Sequence, residues 1–136
     1  SMACLKGQVI YHCGPLMKGL KVVSAGPTTS ARMSVYIRKI LKTHSTPAII
    51  GKGGLSKEAT DAMKGRAVYL SAVGGAGSLY ASKIVKVKNV FKKHFGMAEA
   101  IYEFEVTDFP LLVSIDSRGN NIYEKVEKKS RNIHPQ

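Results

Sequence analysis

The order of hydrophobic patterns along the chain restricts its fold more than any other feature. Short β-type runs alternate with helical segments, and residues 31–41 form the clearest helix because apolar side chains recur there every three or four positions. Strands are predicted at residues 8–12, 21–25, 47–50, 67–72, 84–90, 101–106 and 111–115, and further helices at 57–63 and 77–82. This order predicts an α/β domain with a mixed sheet and room for a second β layer.

Three local signals refine this prediction. Ser56 is the predicted N-cap of the helix at 57–63, because its hydroxyl can accept a hydrogen bond from a free backbone N–H of the first turn. The alternating lysines of residues 84–90 are typical of an edge strand. Residues 117–121 are typical of a turn.

The size of the chain predicts one domain. With 136 residues, 44% of them hydrophobic, it can bury one core but not the cores of two ordinary domains. We therefore expect a single domain over residues 1–136, in which the charged segment 124–136 frays. The longest apolar runs are far shorter than the roughly 20 residues needed to cross a bilayer. No membrane span or signal peptide is predicted, and a cytoplasmic location is expected.

Positive charge is concentrated in the first part of the chain. The sequence has 21 Lys and Arg against 9 Asp and Glu, a formal net charge of +12, and residues 1–57 contain no acidic residue at all. A basic segment of this kind is most often typical of nucleic-acid binding or of no specific partner, with a small anionic ligand as the alternative. The usual RNA-binding aromatic motif is missing and Trp is absent, so specific nucleic-acid recognition is not predicted.

The sharpest local motif is residues 24–33, which join a strand to the clearest helix. Thr28 or Thr29 is the predicted N-cap, and Gly26 allows the backbone to approach a ligand closely. Arg32 adds a planar fork of donors suited to a carboxylate, next to a helix N-terminus that attracts anions. The pattern therefore fits a carboxylate site, and it equally fits an ordinary capped helix with a solvated arginine.

Two glycine-rich segments follow predicted strands. Lys52, flanked by glycines in residues 51–54, would lie at the carboxyl end of a strand, where open α/β sheets bind ligands. The spacing is not that of a Walker A loop, and a plain turn is the alternative. Residues 74–77 lack the GxGxxG order of a dinucleotide-binding loop, so close packing of a helix on the sheet is the preferred interpretation.

Cysteine and histidine give no metal site in this chain. Cys4 and Cys13 are the only cysteines, whereas an iron–sulfur cluster normally needs three or four thiolates. No histidine has a useful spacing to an acid or cysteine, so each is predicted to be a loop or surface residue. The four histidines are His12, His44, His94 and His134.

Five segments together resemble a known family. They are GPTTSARM at 26–33, IIGKGG at 49–54, AVYLSAVGGAG at 67–77, GMAEAIYEFEV at 96–106 and DFPLLVSIDSRGNNIY at 108–123. In this order they look like the C-terminal domain, or separate β-subunit, of the class I iron–sulfur fumarases and tartrate dehydratases. Each segment is weakly informative alone, but the joint match is specific.

The resemblance implies a swivelling β/β/α domain that closes over a [4Fe-4S] cluster held by a partner α-subunit or N-terminal domain. The implied reaction is the reversible hydration of fumarate to (S)-malate. On the matching positions, Thr28 would be the catalytic hydroxyl in proton transfer, and Arg32 and Lys52 would bind the carboxylates of the substrate. Thr29 and Gly26 would shape the same loop.

The resemblance also carries expectations about assembly and leaves alternatives open. The chain should be inactive without the cluster-bearing half and should join an oligomer in the complete enzyme. The family has an Arg-Asp-x-x-His element upstream of GPTT, and this sequence begins too late to contain it, so the domain is expected to lack its N-terminal portion. The alternatives are an L-tartrate dehydratase β-subunit and a noncatalytic homologue that acts as a binding module.

Overall fold

The computed structural model describes residues 5–92 and 100–133. Within these residues the chain forms eight strands, four α-helices and a 3-10 turn at Ser30–Met33. The strands are β1 (Ile10–Tyr11), β2 (Leu16–Lys18), β3 (Lys21–Ser24), β4 (Ala48–Gly51), β5 (Val68–Ser71), β6 (Ile84–Phe91), β7 (Ile101–Val106) and β8 (Leu112–Ile115), and the helices are α1 (Ser34–Thr43), α2 (Lys57–Met63), α3 (Gly77–Ser82) and α4 (Ile122–Ile133).

A mixed four-stranded sheet lies at the centre of the molecule. Its strand order is β1-β4-β5-β8, in which β1, β4 and β5 run parallel and β8 runs antiparallel to β5. Two smaller antiparallel sheets, β2–β3 and β6–β7, stand apart from it. Because β4 and β5 run in the same direction, the loops that follow them emerge at the same edge of the sheet.

The two faces of the mixed sheet bury different layers. Ile49 and Tyr69 point to a core shared with α1 and α2, whereas Ile50 and Leu70, one position further along each strand, point to the layer that contains the small sheets and α3. The first core comprises Ile37, Leu41, Ile49, Ala59, Met63, Ala67, Tyr69 and Ile115. The predicted α/β class with a mixed sheet and a second β layer is confirmed; the swivelling motion stays a prediction.

Most predicted elements are present with shifted ends. The α2 helix begins after Ser56, whose Oγ accepts a hydrogen bond from the Ala59 N–H at 3.2 Å, as predicted. β6 pairs only with β7 among the described residues, which agrees with the edge-strand pattern. The three-residue strand β2 was not predicted, because it is too short to show an alternating pattern.

The predicted N-cap of the clearest helix is wrong in detail. A 3-10 turn precedes α1, and neither Thr29 ahead of the turn nor Met33 ahead of the helix forms a side-chain capping bond. Instead, Ser34 in the first turn of α1 is buried, and its Oγ accepts a hydrogen bond from the Ser56 N–H at 3.2 Å. The threonine hydroxyls of the motif therefore do not act as helix caps.

The predicted frayed segment from residue 124 contains a helix as far as residue 133. The Asn121 side chain accepts a hydrogen bond from the Tyr123 N–H at 3.0 Å and so starts α4. Tyr123 is half-buried against the first core, whereas residues 124–132 are exposed. The helix was not predicted because its sequence is charged and polar and only its first turn is anchored to the domain.

Within the described residues, no helix combines the length and the apolar character that crossing a bilayer requires. The predictions for Cys4, His94 and His134 concern positions outside the described residues.

Candidate active site

Backbone contacts bring the two predicted site motifs together at the carboxyl edge of the parallel strands. Thr29 forms a parallel bridge with Lys52, and the Ser30 N–H donates to the Lys52 carbonyl at 3.0 Å. The Thr28 N–H donates to the carbonyl of His12, whose own N–H donates to the Ile50 carbonyl, both at 2.8 Å. The segment 27–30 thus lies between the chain ends that leave β1 and β4.

A third loop, residues 72–77, joins the same edge. The Ala72 N–H donates to the Gly51 carbonyl at 2.8 Å, and the Ala25 N–H donates to the Gly77 carbonyl at 3.0 Å. Gly26 and Gly77 pack backbone against backbone, because a Cβ added to Gly26 would lie 3.6 Å from the Gly77 Cα. The glycines at both positions therefore allow the strand-to-helix loops to touch, as the packing interpretation of residues 74–77 predicted.

The predicted binding side chains differ in exposure. Thr28 and Arg32 are exposed, whereas Thr29 and Lys52 are half-buried. The Lys52 stem passes over the third loop, since a Cβ on Gly74 would lie 3.1 Å from the Lys52 Cδ. Neither Arg32 nor Lys52 forms a salt bridge with another described residue. Both cations are therefore available to a ligand, although the structure joins them through the 27–33 backbone and not by a direct contact.

A buried polar network supports the edge from below. Ser30 is fully buried, and its Oγ lies 3.0 Å from the Nδ1 of His12, which is 7% exposed. The Tyr69 hydroxyl donates to the Gly53 carbonyl at 2.7 Å and also interacts with Ser30. This network ties the segment after β1, the GPTTS motif and the GKGG turn to β5.

Burial sets the protonation of this network. Burial lowers the pKa of His12 below its usual 6.5, so the imidazole is neutral at neutral pH. Burial also raises the pKa of Tyr69 to about 12, opposed in part by its hydrogen bond with Ser30. His12 lies in the loop that follows β1, as predicted, but it is not a surface residue, because it is only 7% exposed.

Gly51 is required where the network meets β4. A Cβ on Gly51 would overlap the Ser30 hydroxyl and would lie 2.9 Å from the Ser30 Cβ and 3.1 Å from the Tyr69 hydroxyl. The absence of a side chain at Gly51 therefore lets the GPTTS motif sit directly on the end of the strand. The sequence signal was available in the third hydroxyl of TTS and in a tyrosine within an apolar strand, but neither showed that the two side chains meet.

A second hydrogen-bonded chain supports the GKGG turn from the α4 side. The Ser114 hydroxyl donates to Ser71 Oγ at 2.5 Å, and Ser71 Oγ lies 2.5 Å from the Tyr123 hydroxyl. The Tyr123 ring also packs on the turn, because a Cβ on Gly54 would lie 3.8 Å from its Cγ. Sequence analysis missed this chain, which joins residues far apart in the sequence.

An aromatic cluster holds the third loop. The Tyr80 hydroxyl accepts from the Val73 N–H at 2.8 Å and donates to the Pro110 carbonyl at 2.9 Å. Its ring lies 4.5 Å from that of Phe109, centroid to centroid, and Tyr11 contacts both rings edge-on. The loops at this edge are therefore fixed by side chains beneath them, as preorganised binding requires.

The residues that the structure describes do not offer the donor set of an iron–sulfur cluster. Cys13 is the one cysteine among the described residues, and burial raises the pKa of its thiol to about 12, which disfavours the thiolate that binds metal. No group of three His, Cys, Asp or Glu side chains in the described part of the chain could hold a metal ion. A cluster held by three or four thiolates would need a different donor set.

Comparison with known proteins assigns the family. The family described as Fumarase C-terminus matches residues 2–126, which is most of the chain. The chain therefore belongs to the Fumarase C-terminus family, and the loops described above are the GPTTSARM, IIGKGG and VGGAG segments on which the resemblance rested.

Individual relatives carry two kinds of name. A Methanocaldococcus jannaschii protein named "Putative L(+)-tartrate dehydratase subunit beta" is 46% identical over 132 residues, covering 92% of this chain and 68% of the relative. A Geobacillus stearothermophilus protein named "Putative fumarate hydratase class I" is 42% identical over 132 residues, covering 93% of this chain and 26% of the relative. The L(+)-tartrate dehydratase subunit beta of Escherichia coli K12 is 32% identical over 130 residues, 91% of this chain and 65% of the relative.

Proposed function

We propose that this chain is the β-half of a hydro-lyase that interconverts fumarate and (S)-malate together with a cluster-bearing partner. The observation that carries the proposal is the Thr29–Lys52 bridge, which joins the GPTTS motif and the GKGG turn at the carboxyl edge of the sheet. Open α/β sheets bind ligands at this edge. The family assignment and the names of the relatives support the reaction class.

The charges of the edge suit a dicarboxylate. Arg32 offers a planar fork that can bind one carboxylate through two hydrogen bonds, and Lys52 offers a point charge for the other. Each hydrogen bond to a charged group contributes about 1.5–3 kcal/mol. No acidic residue occurs in residues 1–57, so neither motif brings a carboxylate that would compete with the substrate.

Thr28 is the proposed proton-transfer group, a role taken from the resemblance. Its backbone is fixed by the hydrogen bond to the His12 carbonyl, and its side chain is exposed at the edge. An unactivated hydroxyl is a weak base, so a neighbouring group must activate it. In this proposal the activating group comes from the substrate complex or from the partner. Thr29 and Gly26 shape the loop that presents Thr28.

The partner completes the site. The [4Fe-4S] cluster belongs, in this proposal, to an α-subunit or N-terminal domain and not to this chain. Two of the three relatives are named as β-subunits, and the third is a longer protein of which this chain matches 26%. Both kinds of relative support a second half that works together with this domain.

The second candidate is an L-tartrate dehydratase β-subunit. It is favoured by the names of the Methanocaldococcus and Escherichia relatives. Both substrates are four-carbon dicarboxylates, so the same two cations would bind either. The extra hydroxyl of tartrate is the chemical difference that the complete site must recognise.

Reconstitution tests both candidates. The chain should be combined anaerobically with the cluster-loaded α-half of a relative, and fumarate absorbance followed in one arm and formation of a keto acid from L-tartrate in the other. We expect fumarate hydration by the mixture and none by either half alone, with that relative's own β-half as the positive control. Keto-acid formation without fumarate hydration would select the tartrate candidate. Complex formation with neither activity, while the control is active, would leave a noncatalytic binding module.

A further inference from the structure

A cavity lies at the edge of the mixed sheet opposite the candidate active site. Its volume is about 450 Å³, and it is lined by the end of α1, the segment leading into β4, and Arg66. Pro47 and Arg66 precede the parallel strands β4 and β5, whereas Lys52 follows β4. This amino-edge cavity, lined by residues 41–47 and Arg66, is therefore distinct from the candidate active site.

Thr46 gives the cavity an unmet hydrogen-bonding requirement. The residue lines the cavity and is only 3% exposed, yet its Oγ1 has no hydrogen-bond partner. It is the one such buried side-chain atom within residues 5–92 and 100–133. Buried hydroxyls in folded proteins are almost always satisfied by protein, water or a bound ion. Because the Oγ1 itself is covered, an occupant of the cavity would reach it only after a small movement of the adjacent wall.

The charges around the cavity favour an anionic occupant. Lys42, His44 and Arg66 are among its lining residues, and no acidic residue is. The salt bridges within the described part of the chain, Lys57–Asp61 and Lys88–Glu103, involve neither Lys42 nor Arg66. A guanidinium fork, an ammonium group and a hydroxyl together form a donor set suited to a phosphoryl group.

The end of α1 opposes an anion only weakly. A helix C-terminus carries roughly half a negative charge, spread over its last free carbonyls. One of these carbonyls, that of Ile40, already accepts a hydrogen bond from the His44 N–H at 2.8 Å. The full charges of Lys42 and Arg66 therefore dominate the cavity.

We propose that the amino-edge cavity binds the phosphoryl group of a small phosphorylated metabolite. Arg66 and Lys42 hold the phosphoryl oxygens, and the Thr46 hydroxyl donates to one of them after a small adjustment of the cavity wall. Pockets for small molecules span about 300–1,000 Å³, so the cavity has room for more than a bare phosphate ion. This site is separate from the proposed dicarboxylate site, and its lining residues all belong to this chain.

Amide NMR titration of this chain tests the proposal. Inorganic phosphate and glycerol phosphate are titrated separately at constant ionic strength against chloride, with malate as a non-phosphoryl anion. We expect saturable shifts confined to residues 41–46 and 66, with tighter binding of glycerol phosphate than of inorganic phosphate. Equal binding of the two would assign the site to free phosphate and support the phosphoryl chemistry. Binding of malate alone, or no saturable shift with either phosphate, would overturn the proposal.

Charge variants separate the site from general attraction. Lys42→Ala and Arg66→Ala should each weaken phosphoryl binding by about tenfold or more, the loss expected for one charged hydrogen bond. The exposed Lys39 and Lys64 do not line the cavity, so Lys39→Ala and Lys64→Ala are matched controls that should change affinity less than about twofold. Equal losses in the controls would contradict a built site. Thr46→Val should weaken phosphoryl binding several-fold, and its amide spectrum should remain that of a folded protein. Unchanged affinity would show that the Thr46 hydroxyl does not contact the phosphoryl group.

Discussion

At the scale of single residues, the candidate active site depends on what lies beneath the loops. Gly51, Ser30, His12 and Tyr69 form a packed and hydrogen-bonded base on which the GPTTS motif rests. None of these four was predicted to act in the site, although all lie within or beside the predicted motifs. Thr28, Arg32 and Lys52 carry the proposed chemistry, and this buried base positions the loops to which they belong.

Gly51→Ala tests the close packing at the end of β4. The added methyl group would overlap the Ser30 side chain, so we expect a loss of about 1–3 kcal/mol in the free energy of unfolding, measured by urea denaturation. Gly14→Ala is the matched control, because nothing lies within 4 Å of a Cβ at Gly14. A change in Gly51→Ala no larger than that in Gly14→Ala would show that Ser30 moves aside freely.

His12 should make stability fall on acidification. Its folded-state pKa is lowered below 6.5, so the unfolded chain takes up the proton first as pH falls. This contribution is fully present above about pH 6.5 and is lost as pH falls from there toward the lower folded-state pKa. Urea denaturation between pH 7.5 and 5.5 should show a smaller loss of stability for His12→Gln than for the wild type. Parallel profiles for the two proteins would contradict the buried neutral imidazole.

At the scale of elements, the sequence predicted best those segments whose local pattern agrees with their burial. β4 and β5 are apolar runs that end at the active-site edge, and α2 has both its amphipathic pattern and its cap. α4 was missed because tertiary contact through Tyr123, and not a hydrophobic face, anchors it. The capping of α1 was mispredicted because a 3-10 turn separates the threonines from the helix.

Ser56→Ala tests the cap that the sequence predicted. Removing the hydroxyl that accepts from the Ala59 N–H should lower the free energy of unfolding by about 1 kcal/mol, within a usual range of about 0.5–2. Thermal and urea denaturation measure the change. Ser117→Ala, in an exposed turn, is the control and should stay within about 0.5 kcal/mol of wild type. A cap variant as stable as the control would mean that α2 is held by packing alone.

At the scale of the whole molecule, the two edges of the mixed sheet use the basic charge of the chain differently. The basic charge of the chain favoured nucleic acid or no specific partner over a small anionic ligand. The fold assigns four of the basic residues to two separate places. Arg32 and Lys52 belong to segments tied to the carboxyl edge of the sheet, whereas Lys42 and Arg66 line a cavity at the amino edge. The sequence shows that these four residues are basic, but only the strand order assigns them to opposite edges of the sheet.

What remained unpredictable was the set of contacts between distant segments. The Ser30–His12 and Ser71–Tyr123 hydrogen bonds join residues 18 and 52 positions apart. Local periodicity and turn chemistry hold no information about such pairs, since they arise only when strands take their order in the sheet. The family resemblance supplied the proposed site residues Thr28, Arg32 and Lys52, whereas the supporting network required the structure.

Arg32 and Lys52 are proposed to bind the carboxylates of the substrate. In the reconstituted assembly, kcat/KM for fumarate should be measured for Arg32→Met, Lys52→Met and the control Arg38→Met, which removes an exposed charge from α1. We predict a fall of about tenfold to a hundredfold for each of the first two variants, the value of one charged hydrogen bond, and less than about twofold for the control. Activities for Arg32→Met and Lys52→Met that match the Arg38→Met control would contradict the assignment of the site.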